Sequence, residues 1–107
     1  MKLVTTDTVE GAEVRAGEML FACAVSGANV LRDMREAITN TIGGEMRRYE
    51  ALIDKTIARA LSVLAERAQE KGYDGVLAVR ISHPTIVHGA VEIVVAGTGF
   101  HFASRSA

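Results

Sequence analysis

Apolar side chains recur every three or four residues through the stretch 43–71, which has no Gly or Pro after its first two positions. These apolar positions are Met46, Tyr49, Ile53, Ile57, Ala60, Leu64 and Ala68. The spacing predicts an amphipathic α-helix with one apolar stripe. At about 1.5 Å per residue, the helix is roughly 40 Å long, more than a small globule needs. We therefore expect neighbouring copies of the protein to help cover the stripe.

A shorter apolar run, residues 18–26, lies between Gly17 and Gly27. A near-continuous apolar run of this length is typical of a strand buried on both faces, with a buried helix as the alternative. The bounding glycines and the shortness favour the strand. Before it, residues 2–6 predict a short strand, and residues 7–17 predict a loop or a weak edge strand.

Residues 27–42 predict a first, shorter helix. Asn29 can cap its N-terminus by accepting a backbone N–H. The apolar positions that follow at helical spacing are Leu31, Met34, Ile38 and Ile42. Residues 43–44 are a glycine pair that separates the two helices, and Gly72 ends the long one in the left-handed conformation.

The C-terminal third predicts a β-hairpin in which residues 83–90 join strands at 74–82 and 91–102. Period-two alternation in the first strand places on one face Leu77, Val79 and Ile81, and on the other Val76, Ala78, Arg80 and Ser82. The second strand places on one face Val91, Ile93 and Val95, followed by Gly97 and Gly99. Alternating glycines indicate a bend, a bulge or a close backbone approach. Residues 103–107 predict a frayed tail.

The order strand, strand, helix, helix, hairpin predicts an α+β fold. We expect a small mixed or antiparallel sheet with a short and a long helix on one side. The length of 107 residues predicts one domain, 1–107. Because the strands show too little polar alternation for a solvated face, we expect a symmetric partner to cover the other side of the sheet.

Composition and charge limit the kinds of partner and the compartment that we expect for this protein. Twelve basic and thirteen acidic residues give a formal net charge of −1, which indicates neither nucleic acid nor an anionic membrane as partner. The apolar runs are far shorter than the ~20 residues of a membrane span. The N-terminus has no signal-peptide core, and the single Cys fits a reducing compartment, so we expect a cytoplasmic protein.

Several short motifs occur in a fixed order along the chain. They are TTDTVEG at 5–11, Gly27-Ala28-Asn29 with Arg32-Asp33, Gly43-Gly44, Tyr49-Glu50, and KGYDGVLAVRIS at 71–82. In this order they resemble the bacterial UPF0145 family, also called YbjQ-like or DUF74, over roughly residues 4 to 100. The resemblance implies a small α+β subunit assembled as a homopentamer. The family carries the label "putative heavy-metal-binding domain", and its biochemical role is poorly defined.

The chain departs from the family pattern at two places. Family members often carry a Gly-Glu pair where this chain has Ala22 and Cys23. The strand after the Asp-Gly turn is richer in Asp in the family, whereas this chain has Arg80, Ser82 and His83 there. Both differences remove acidic side chains from a shared ligand site.

Metal binding requires thiolate or imidazole ligands that converge on one ion. The candidates are His83, His88 and His101, with the hairpin loop bringing the first two near each other. Because no CxxC, HxxxH or HExxH spacing is present, the residues favour solvated or hydrogen-bonding loop histidines. The alternative is a site for a divalent or soft metal ion built from His83, His88 and a neighbour's carboxylate, with His101 as a further candidate ligand.

Cys23 lies in the middle of the predicted strand 18–26. We expect it to pack in the core as a small apolar residue, and a reactive or metal-binding thiol is the alternative.

Asn29, Arg32 and Asp33 form a candidate anion- or ligand-binding site at the start of the first helix. The alternative is an ion pair within the helix or between subunits. The alternating charges of the long helix, including Arg59 and Arg67, indicate a solvated face with ion pairs four residues apart.

No nucleophile–base pair and no paired carboxylates with a defensible geometry occur, so we predict no enzymatic activity and no catalytic residues. The function predicted is a non-enzymatic homo-oligomeric binding or scaffold protein. A metal-binding protein that uses histidines near the hairpin is the first alternative. A small-molecule enzyme with an active site at a subunit interface is the second.

Overall fold

The computed structural model describes residues 1–27, 44–86 and 89–103. In chain order the elements are β1 (Lys2–Leu3), β2 (Val14–Ser26), α1 (Gly44–Glu70), β3 (Gly75–Ser82) and β4 (Val91–Phe102). This confirms the α+β class, the long helix and the C-terminal hairpin. The predicted first helix and its Asn29 cap lie outside the described residues.

The four strands form one mixed sheet in the order β1-β3-β4-β2. β1 runs parallel to β3, whereas β4 is antiparallel to both of its neighbours, β3 and β2. The pairing beside β3 continues past β1, because Val4 and Thr6 exchange backbone hydrogen bonds with residues 76–79. Among the strands of the described residues β2 therefore lies at one edge, and the chain between β1 and β2 passes from one edge of this sheet to the other.

The core lies between α1 and one face of the sheet, called here the inner face. The helix positions with no exposure are Thr56, Ala60, Leu64 and Ala68, one helical turn apart. They pack with buried side chains of β2, β3 and β4, namely Leu20, Ala22, Ala24, Val76, Val79, Ile93 and Val95. Alanines on both sides of this contact let the helix lie close to the sheet, because they add no bulk between the two backbones.

The prediction that the strand at 18–26 is buried on both faces is wrong for the single chain. From Met19 to Ser26 burial alternates, with Leu20, Ala22 and Ala24 buried on the inner face. The intervening side chains are exposed on the opposite, outer face. The physical reason is that α1 supplies a covering layer on the inner face only.

The predicted face assignment of β3 is also wrong, and a β-bulge explains it. The register with β4 shifts between Leu77 and Arg80, and Ala78 adopts a positive φ of 51°. Two residues of β3 then oppose one of β4, which reverses the alternation beyond the bulge. Val76 and Val79 therefore both belong to the inner core, and Arg80 faces outward.

The inward positions of β4 are those predicted, and the structure shows why two of them are glycines. A Cβ on Gly97 would lie 2.6 Å from Val76 Cγ1 and 2.8 Å from the Leu77 carbonyl oxygen. A Cβ on Gly99 would lie 2.5 Å from the Tyr73 ring, which also covers Gly17. The predicted close backbone approach is confirmed at Gly97, whereas at Gly99 the close neighbour is the Tyr73 ring.

Candidate interaction surface

The outer face of β2 carries four consecutive outward side chains without cover, Met19, Phe21, Cys23 and Val25, called here the outer patch. Met19, Phe21 and Val25 are 69%, 60% and 51% exposed. On the neighbouring strand, Val94 lies opposite Cys23 and Ala96 lies opposite Phe21; both are half-buried. The patch is thus an apolar surface two strands wide at the edge of the sheet. Contiguous apolar surface of this kind marks contact sites for other molecules.

Cys23 lies in the centre of the outer patch and is exposed. The prediction that it packs in the core is wrong for the single chain, because alternation along β2 sends its side chain outward while Ala22 and Ala24 turn inward. Its thiol is surrounded by apolar side chains of the patch.

Basic side chains of α1, and Lys71 directly after it, contact the edge of β2 that faces away from β4. The Arg59 guanidinium donates to the Val25 carbonyl oxygen and the Arg67 guanidinium donates to the Phe21 carbonyl oxygen, each at 2.7 Å. Lys71 Nζ lies 2.7 Å from Glu18 Oε1. The hydrogen bond and the charge of Glu18 raise the pKa of Lys71 above its ordinary value.

Sequence reasoning treated these cations as part of a solvated face. The signal it missed is the eight-residue spacing of the arginines, which matches four residues of an extended strand.

A buried hydroxyl pair fixes the same helix against the end of β2. Ser26 Oγ and Thr56 Oγ1 are 2.6 Å apart, and Thr56 Oγ1 donates to the Leu52 carbonyl oxygen at 2.7 Å. Because the Thr56 proton is used in that bond, Ser26 is the donor to Thr56. Both hydroxyls are satisfied in a site closed to solvent, so their role is structural.

The structure separates two of the predicted metal ligands within one chain. His83 follows β3 and is exposed, near the level where Ser82 pairs with Val94. His101 lies seven residues farther along β4 and stacks on Tyr73, with ring centroids 4.8 Å apart. At ~3.3 Å per strand residue, the two levels are roughly 23 Å apart.

His88 lies outside the described residues, as do Asn29, Arg32 and Asp33 of the predicted anion site. Within residues 1–27, 44–86 and 89–103, no three His, Cys, Asp or Glu side chains are grouped to hold a metal ion. The metal and anion sites therefore remain predictions. His83 does line a cavity of about 300 Å³ between the first half of α1 and the hairpin loop, together with Tyr49, Ile53, Ile57 and Thr85.

No described helix is both long and apolar enough to cross a bilayer.

The described residues define a class: a small α+β fold in which a helix covers one face of the sheet and an edge strand carries exposed apolar side chains on the other. The chain matches, over residues 1–103, the YbjQ family model described as "Putative heavy-metal-binding". It belongs to this family, whose curated members carry the name UPF0145.

Several relatives agree with this membership, and one solved structure shares the fold. The chain is 35% identical to a UPF0145 protein of Halobacterium salinarum over 104 residues, which cover 96% of this chain and 100% of the relative. It is 37% identical to a UPF0145 protein of a Synechococcus strain over 99 residues, covering 92% and 95%. A DUF74-family protein of unknown function from Pediococcus pentosaceus shares the fold, with a TM-score of 0.66, 14% identity and coverage of 95% and 97%.

Proposed function

We propose that this protein is a non-enzymatic subunit of a homo-oligomer, a binding or scaffold module whose copies meet through the outer patch. The observation that carries the proposal is the exposure of Met19, Phe21 and Val25 on one strand face. Fully burying one such side chain contributes about 1.5–3 kcal/mol, so covering several of them in each copy favours association. The closed ring of five copies that the family resemblance implies is the assembly we expect.

The composition of the patch favours a second copy as the covering partner. Its four side chains are uncharged and the side chains opposite Phe21 and Cys23 on β4 are also apolar, with Glu92 opposite Val25 at one end. An apolar patch of this kind fits an apolar surface of a second copy. In a closed ring it would meet a different surface of the next subunit, because ring contacts are head-to-tail.

Sedimentation velocity over a range of protein concentrations tests the proposal. The native protein should sediment as one discrete oligomer, and Phe21→Ser should shift it toward the single subunit. Ile86→Ser is the matched control, because Ile86 is 80% exposed and lies outside the patch. A native protein that stays a single subunit at tens of micromolar, or a Phe21→Ser variant as associated as the control, would contradict the proposal.

A second candidate function is the binding of a soft or divalent metal ion. The family description and the exposed Cys23 thiol favour it, because assembly through the outer patch brings one thiol from each copy to the interface. His83 and His88 are the other ligands we propose; His101, roughly 23 Å from His83 along the sheet, would join such a site only from another copy. Calorimetric titration of tag-free protein with Zn²⁺ or Cu²⁺ should give saturable heat that Cys23→Ser or His83→Ala reduces. Heat that is absent, or that no substitution changes, would count against this function.

A small anion is the other ligand we propose for the assembled protein, held by Asn29, Arg32 and Asp33. Inorganic phosphate should then raise the melting temperature of the native protein, and Arg32→Ala should abolish that rise. An equal rise in both proteins would show a general salt effect and no site.

A further inference from the structure

The edge of β2 that pairs with no strand of the described residues combines features that make strand addition by another chain favourable. The strand is long, at 13 residues, and its outward side chains from Met19 to Val25 are apolar. The window 19–25, MLFACAV, contains no charge, no Pro and no Gly. Segments of this composition with unpaired backbone groups are templates for pairing with a second copy.

Two arginines of α1 meet this edge in register. Arg59 reaches the Val25 carbonyl oxygen and Arg67 reaches the Phe21 carbonyl oxygen, so the helix runs antiparallel to the strand. Eight helical residues rise about 12 Å, and four strand residues span about 13 Å. The two spacings match, and each guanidinium therefore meets an outward carbonyl without distortion of helix or strand.

The contacts are strong for exposed groups. A guanidinium is charged at all relevant pH values, and its hydrogen bonds to a carbonyl are charge-assisted. Each donor–acceptor distance is 2.7 Å, short for an N–H···O bond. A strand approaching this edge would have to displace both guanidinium groups before it could donate to the same two oxygens.

We propose that Arg59 and Arg67 close the free edge of β2 against the addition of a strand from a second copy of this chain. The face of β2 stays open to partners while its edge does not, so copies cannot extend the sheet without limit. This inference goes beyond the proposed function, because it concerns the edge of the strand and holds for a single subunit as well as for an oligomer.

The test compares two double variants that remove the same charge. Arg59→Ala with Arg67→Ala frees both carbonyl oxygens. Arg47→Ala with Lys55→Ala is the control, because these two exposed side chains are also eight residues apart on α1 and neither has a contact with β2 among the described residues. Thioflavin T fluorescence and sedimentable mass are followed for the native protein and both variants. Each sample is held at the same interval below its own melting temperature, so that global unfolding contributes equally.

The edge variant should form β-rich, sedimentable material with a lag roughly tenfold shorter than that of the control. Equal lags in the two double variants would overturn the proposal. The result is independent of the sedimentation experiment on Phe21→Ser, which tests the face. If the native protein proved to be a single subunit, the proposed function would be wrong, but the comparison of lag times between the two double variants would still test this inference.

Discussion

Both faces of β2 carry apolar side chains, but they differ in how far those side chains are exposed. On the inner face Leu20, Ala22 and Ala24 are all under 7% exposed, whereas Phe21 and Val25 on the outer face are more than half exposed. The difference comes from the second layer, because α1 lies over one face only. Apolar side chains on a strand face therefore do not show whether the same chain covers that face.

The largest loss of stability should come from removing a large buried side chain on the helix side of the inner face. Leu64 has no exposure and lies in the centre of the helix–sheet contact, so Leu64→Ala should lower the free energy of unfolding by about 2–5 kcal/mol through lost burial and a residual cavity. Urea unfolding followed by circular dichroism measures it. On the outer face, Phe21→Ala should change the stability of the dissociated subunit by only about 0.5 kcal/mol. Similar losses in both variants would mean that the outer patch is packed within one chain.

Adding a methyl group to the packed inner face should lower the free energy of unfolding by less than removing a large side chain from it. Gly97→Ala places a methyl group 2.8 Å from the Leu77 carbonyl oxygen, and this backbone atom cannot move without shifting β3. We expect a loss of about 1–3 kcal/mol in the free energy of unfolding. Gly27→Ala is the control, because a Cβ there would meet no atom within 4 Å. Thermal unfolding of both variants checks the prediction, and a Gly97→Ala protein as stable as its control would contradict the described packing.

The buried hydroxyl pair at the end of β2 should show an asymmetric response. Ser26→Ala removes a donor but leaves Thr56 bonded to the Leu52 carbonyl oxygen, so the loss should be about 0.5–1.5 kcal/mol. Thr56→Val leaves the Ser26 hydroxyl buried without its acceptor and should cost about 1–3 kcal/mol. Urea unfolding of both single variants and of the double variant separates the loss caused by each substitution from the interaction between the two hydroxyls. Equal losses would mean that the donor and acceptor roles are not as assigned.

The smallest effect should come from the ion pair at the outer end of the helix. Glu18 raises the pKa of Lys71 above 10.5, so the pair's contribution is fully present below that pH and is lost as pH rises through the raised pKa. Lys71→Met should therefore lower the melting temperature slightly at neutral pH and not at all in strong alkali. A difference in melting temperature that grows with pH would have the wrong sign for this pair.

Much of the fold follows from periodicity in the sequence. The long helix and the hairpin can be predicted, because each leaves a local pattern, and so can the close approach at Gly97. The Tyr73 ring over Gly17 and Gly99 leaves no such pattern. The face assignment of β3 is not readable, because it depends on a bulge at Ala78, a residue with no turn signature. The exposure of Cys23 is not readable either, since it depends on which layers the chain supplies. The predicted ligand residues Asn29, Arg32, Asp33 and His88 lie outside the described residues, so the sequence remains their only support.

Tyr73 gives the protein a built-in optical reporter. The chain has no Trp and two Tyr, and the Tyr73 hydroxyl accepts a hydrogen bond from the Glu18 backbone N–H at 2.9 Å while its ring stacks on His101. Its ultraviolet emission therefore responds to any separation of the helix end from the strands at that place. Replacing Tyr49 by Phe would leave Tyr73 as the sole tyrosine emitter, so that assembly, ligand addition and unfolding could each be followed in unlabelled protein.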